Sequence, residues 1–231
     1  DRSEAMKKSI LSLKGNTDYP AELIVWDNGG NPDDTDWLLE QTRKGIINIL
    51  IRSKENLHFG YAWNAMARLA TGDYLCFTCN DILFKPHWLS KTIQAIEEHS
   101  DRKLIGTPYL TPDKNKPNFN KEVLADGCRL NSLAGSNCMV LTQDIWKDVG
   151  EFPHHRIGGT IWHRVLHSKG YLVVIPPEDY AEHLAFRQGV NWHLKTPVEK
   201  TLLTGEKVDY HYQGYKKHIS RGWQKLAGIK L

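Results

Sequence analysis

Long apolar runs are missing from this chain of 231 residues. Nothing approaches the roughly 18 consecutive apolar residues that a membrane span requires. No basic start followed by an apolar stretch marks a secretory leader, so the expected compartment is the cytoplasm. Cysteine is scarce. Cys76, Cys79, Cys128 and Cys138 are too few and too scattered for a disulfide framework. "CFTC" has the C-x-x-C spacing of a redox or zinc site, but side chains alternate faces along a strand and no second pair stands at zinc-finger spacing. All four cysteines are therefore read as small buried apolar residues. No G-x-G-x-x-G follows a strand, which disfavours a dehydrogenase.

What is present suits one α/β domain with appendages: 40% hydrophobic and 25% charged residues. The net charge of +3 hides an asymmetry. From Lys195 onward there are eight Lys/Arg against three Asp/Glu, whereas the remaining body is slightly acidic. Helical spacing marks "SEAMKKSILSLKG", "DTDWLLEQTRK", "YAWNAMARLA", "PHWLSKTIQAIEEH", "QDIWKDVG" and "TIWHRVLHSKG". Strands are expected at "AELIVW", "IINILIR", "DYLCFTC", "KLIGTPYL", "SNCMVLT" and "YLVVI". Such alternation predicts an α/β, Rossmann-like fold, a mainly parallel central sheet with helices on both faces.

In an open sheet of this kind ligands bind outside the carboxyl ends of the strands. Three strands here end in polar clusters at that edge: Asp27-Asn28-Gly29-Gly30, then Asn56 with Gly60, then Asn80-Asp81. Glycines let backbone approach a ligand, and short acids and amides can hold a base and ribose without filling the cleft. A strand-end carboxylate is a hard oxygen ligand suited to Mg²⁺ or Mn²⁺ on a diphosphate. One such cluster is ordinary turn chemistry. Three at one edge point to a nucleotide site.

The segments "ELIVWDNGG", "ENLHFGYAWNAMARLATGDYLCFTCND" and "GSNCMVLTQDIWKDVGEF" resemble the family 2 glycosyltransferases of the GT-A fold, over roughly residues 1 to 185. The resemblance implies a nucleotide-sugar-binding half over 1–110, an acceptor-binding half over 111–190 and a basic tail over 191–231. It implies a donor pocket at Asp27, Asn28, Gly29, Asn56, Gly60, Asn64, Asn80 and Asp81, with Arg187 or Lys195 adding positive charge. The implied donor is a nucleoside-diphosphate sugar, a UDP-sugar first among them, and the acceptor a glycan, lipid-linked or other hydroxyl. The family's D-x-D metal motif falls on Cys79-Asn80-Asp81, so one acid remains. Asp81 is thus the implied catalytic metal ligand, with His183 in "EDYAEHLAF" as its partner and Mn²⁺ or Mg²⁺ as the cofactor.

Two departures accompany the resemblance. The Glu-Asp pair that carries the family's general base would fall on or near Gly158-Gly159, where there is no acid. Another residue removes the acceptor's proton, or the enzyme is retaining, or catalysis is lost. His154, His155 and Asp126 are the candidates for proton handling, and His154 and Trp162 for acceptor contact. The family's first strand should also precede "DRSEAM". The rival readings are a sugar-nucleotide-binding module on a decayed transferase scaffold and a nucleotidyltransferase. The latter would carry a Gly-rich, Arg-containing loop after its first strand, and none is seen. The tail "YKKHISRGWQKLAGIKL" has the basic amphipathic character of a segment that lies on an anionic membrane or contacts nucleic acid phosphates.

Overall fold

Polar caps and turn residues punctuate the first half of the chain into alternating helices and strands. The computed structural model describes residues 2–110, 120–131, 137–154 and 158–184. His155, Arg187 and the basic tail lie outside them. Helix α1 (Arg2–Asn16) leads to strand β1 (Ile24–Asn28), then α2 (Pro32–Arg43) and β2 (Ile49–Ser53). Asn31 caps α2 by accepting the Asp34 amide at 2.9 Å. Pro32 opens that helix and Asp33 and Asp34 complement its dipole. Helix α3 (Phe59–Leu69), β3 (Tyr74–Thr78), β4 (Ile82–Phe84), α4 (Trp88–Glu97) and β5 (Leu104–Gly106) follow. The second half adds β6 (Asn120–Val123), β7 (Arg129–Asn131), β8 (Cys138–Thr142), α5 (Gln143–Val149), α6 (Gly158–Ser168), β9 (Leu172–Ile175) and β10 (Ala181–His183).

Six strands form one sheet in the order β3-β8-β5-β9-β7-β6, while β1 pairs with β2 and β4 with β10. The β1–β2 and β5–β9 ladders are parallel and the other described ladders antiparallel, so the sheet is mixed where parallel strands were expected to dominate. Helices do separate the early strands, but β6 and β7 form a hairpin through a tight turn and β8 enters the sheet against both of its neighbours. The period-two rule holds along β8. Met139 and Leu141 join the face covered by α3, α5 and α6, and Cys138 and Val140 join the face covered by α4. A third, smaller core of Ile10, Leu38 and Ile47 secures α1 and α2 to β2.

One contact ties the segment ahead of β1 to the segment ahead of β3. The amide and hydroxyl of Thr71, between α3 and β3, donate to Glu22 just ahead of β1, at 2.5 and 2.8 Å. The starts of β1 and β3 are therefore together. Between these two strand edges lies an apolar groove of about 450 Å³, lined by Leu13, Leu23, Met66, Leu75, Phe77 and Leu89 among others. Cys76 opens into it and is exposed, unlike the buried residue expected from its composition.

Candidate donor and metal site

The rim begins with a turn that only certain residues can form. Asp27 ends β1 with its carboxylate 5% exposed and fully engaged. One oxygen accepts the Gly30 amide at 2.8 Å, the other accepts the Thr35 hydroxyl at 2.6 Å, and Arg52 lies 3.5 Å away. Asp27 thus shapes the turn from within, and it is the flanking residues that face outward. Gly29 has φ +76°, and a Cβ there would sit 2.8 Å from the backbone of Glu55. Only glycine meets both demands.

Asn28 and Asn56 join the ends of β1 and β2. Asn28 donates to the Asn56 side chain at 3.1 Å and accepts the Leu57 amide at 2.8 Å, while Asn56 accepts the His58 amide at 2.9 Å. Ser53 adds its hydroxyl to the same network, bonding the Glu55 carbonyl at 2.9 Å. Ser53, Thr35 and Arg52 were missed by sequence reasoning. Their signal was position alone, at the end of a strand or one turn into a helix. The loop is rigid because each short polar side chain substitutes for a missing ladder bond.

A second polar cluster, Cys79, Asn80 and Asp81, follows β3. Burial, with the neighbouring Asp81 adding to it, pushes the Cys79 thiol up to about 12, so the residue at the position of the family's first acid stays protonated. Asn80 is exposed. Asp81 and His183 are brought together by the β4–β10 ladder, in which His183 pairs with Ile82 and the Leu184 amide donates to the Asp81 carbonyl at 2.9 Å. His183 Nε2 lies 3.6 Å from Asp81 Oδ1, with the two side chains 6% and 14% exposed. An imidazole nitrogen and a carboxylate oxygen facing each other at that separation fit a divalent cation between them.

Other expected residues have a packing role. Asn64 is 1% exposed, its amide donating to the Phe152 carbonyl at 2.9 Å and its oxygen accepting the Phe152 amide at 2.8 Å. It clamps α3 to the loop after α5 and presents nothing to a donor. A Cβ on Gly60 would meet the Pro153 carbonyl oxygen at 2.7 Å, and one on Gly158 would meet the same atom at 2.3 Å. That oxygen is wedged between the first turns of α3 and α6, which explains why no acid stands at position 158. Trp162 is fully buried, stacked on Phe152 with ring centroids 4.6 Å apart, and donates to the Gly150 carbonyl at 2.7 Å. It therefore has no face to offer a sugar. Its helical spacing gave no means of telling core from cleft.

His154 is exposed on the loop after α5, its ring 5.4 Å from that of Tyr61, which in turn lies 5.7 Å from Trp26. These three aromatic rings form a chain from β1 to the loop after α5. Although the residue is exposed, partial burial of the ring pushes the His154 imidazole below its ordinary value, and nearby Arg68 adds to this while Glu151 opposes it. Asp126 lies in the β6–β7 turn beside His99 and Cys128, away from the Asp81 rim. Sequence order alone placed it among the candidates for proton handling.

A model of glycosyl transferase family 2 matches residues 1–167. No curated protein matches the chain. The fold is similar to that of the mannosyltransferase PcManGT from Pyrobaculum calidifontis in complex with GDP-Man and Mn²⁺, at 13% identity and a TM-score of 0.65 over 98% of this chain and 69% of that one. GalNAc-T7 with UDP, GalNAc and Mn²⁺ matches at 11% identity and a TM-score of 0.65, covering 98% of this chain and 52% of that one. S. aureus TarS matches at 14% identity and a TM-score of 0.60, and this chain spans 47% of its length. The protein has the GT-A fold and belongs to glycosyl transferase family 2.

Proposed function

We propose that this chain transfers a glycosyl group from a nucleoside-diphosphate sugar to a hydroxyl acceptor, with Asp81 and His183 holding a divalent cation, Mn²⁺ or Mg²⁺. The observation that carries the reading is the 3.6 Å approach of these two side chains, remote in sequence and brought together by the β4–β10 ladder just after the end of β3. When bound, the cation supplies positive charge against the negative charge that grows on the diphosphate leaving group. The Asn28–Asn56 network keeps the rim loop in one conformation, so the donor meets an already ordered edge. His154, whose imidazole is held below its ordinary value, takes a proton from the attacking hydroxyl onto a ring nitrogen in this reading. The Mn²⁺ and nucleotides named for PcManGT and GalNAc-T7 support both the cation and the donor class.

Transfer and donor hydrolysis with UDP- and GDP-sugars, with and without Mn²⁺, test the reading. Asp81→Ala should lower turnover by at least about a hundredfold, the order expected for losing a charge-stabilising group. Equal turnover in the two proteins removes Asp81 from the mechanism. A second reading, a binding module without catalysis, is favoured by the glycine at position 158. Calorimetry that finds donor binding with no turnover on any acceptor would select it.

A further inference from the structure

We propose that His99, Asp126 and Cys128 form a zinc site separate from the Asp81 rim. Their ligand atoms lie within 4.8 Å of one another, and no other trio of such groups converges this way among the described residues. His99 Nε2 is 3.0 Å from Asp126 Oδ2. In the sheet, β7 is separated from β3 by β8, β5 and β9. Four strand spacings of about 4.8 Å put the turn before β7 roughly 19 Å across the sheet from the end of β3.

The bland alternative is a surface His–Asp pair above a cysteine that merely packs. Several observations weigh against it. Two of the donors sit on one tight turn, closed by the Leu124 amide to the Cys128 carbonyl at 2.8 Å and the Gly127 amide to the Leu124 carbonyl at 2.9 Å. Asp126 Oδ1 accepts the Cys128 amide at 3.0 Å, which orients the carboxylate and turns Oδ2 toward His99. Gly127 adopts φ +86° with Pro177 packed against it, so the turn cannot easily relax. The third donor stands on the turn after α4, closed by the Arg102 amide to the His99 carbonyl at 3.0 Å. The Cys128 thiol is hydrogen-bonded to Asp126. Imidazole and thiol are thus directed at one carboxylate, the arrangement that a cation would share.

The charges nearby agree. Glu98 adds negative potential at Cys128, and the cation facing it, Arg129, is paired with Asp179 at 2.8 Å. A nitrogen, oxygen and sulfur set suits Zn²⁺, with a water as fourth ligand, and is too soft for Mg²⁺ or Mn²⁺. Binding balances as one Zn–S bond formed and one thiol S–H bond broken, with its proton released to solvent. The bound ion would staple the end of α4 to the β6–β7 hairpin.

The test is a Co²⁺ titration of reduced, chelator-treated full chain carrying Asp81→Ala, so that the rim does not contribute, followed by Zn²⁺ displacement. The expected result is one equivalent bound, a thiolate-to-cobalt charge-transfer band and one proton released. His99→Ala should weaken binding by about tenfold or more, and Cys128→Ser should erase the band. A missing band overturns the proposal. So does a band that persists in Cys128→Ser, since another cysteine would then carry it. Should Cys128→Ser fail to fold, the surface substitution His99→Ala decides the matter, and unchanged Co²⁺ affinity in that variant overturns the site.

Discussion

His163 is 1% exposed within α6, and neither ring nitrogen has a hydrogen-bond partner among the described residues. Burial alone pushes its imidazole down to about 4. The unfolded chain protonates this group near 6.5, the ordinary histidine value, while the folded chain resists. Stability is therefore full above about pH 6.5 and falls as the pH drops toward 4, by a total on the order of 3 kcal/mol. Urea melts of wild type and His163→Leu at pH 7.5 and 4.5 check this, with the leucine variant expected to lose most of the acid sensitivity. Position 158 is governed by space. Gly158→Ala presses a methyl group onto the Pro153 carbonyl and should cost about 1–3 kcal/mol in the same melts.

Elements are joined here by a few cross-links of specific chemistry. Asn64 binds α3 to the Phe152 backbone through both ends of its amide. Asn64→Ala leaves a buried N–H and C=O unpaired, so a loss of about 2–4 kcal/mol is expected from denaturant melts. The β3 edge gives a second prediction. Cys76 opens to the groove, whereas Cys128 and Cys138 are 2% and 0% exposed. Under native conditions an alkylating reagent read by peptide mass should label Cys76 first, and equal labelling of all three would mean that the groove edge is closed.

Across the whole molecule, ligand binding should register as stability. A donor and Mn²⁺ at the proposed rim site would bind the folded chain alone. At a hundredfold excess over Kd that linkage amounts to about 2.7 kcal/mol, or roughly 5–10 °C in Tm for a domain of this size. Asp81→Ala should abolish the Mn²⁺-dependent part of the shift in a thermal scan, while Mn²⁺ with no donor should shift wild type far less. No helix among the described residues is long and apolar enough to cross a membrane.

Local pattern alone determined the helices, the longer strands, the polar strand ends and the family resemblance, because period 3.6, period 2 and cap chemistry are written within a few neighbouring residues. The three-residue strands β4, β7 and β10 carry too few residues to show a period, so the antiparallel ladders they build were not legible. Only the tertiary structure decided that register, and with it the 3.6 Å between Asp81 and His183. It also decided which residues of one type do different work. Asp27 turns inward to Gly30 and Thr35, Trp162 packs in the core, and Asp126 faces His99 and Cys128. The physical reason is common to all three: a side chain's role is set by what the rest of the chain brings within bonding distance, and those partners are remote in sequence.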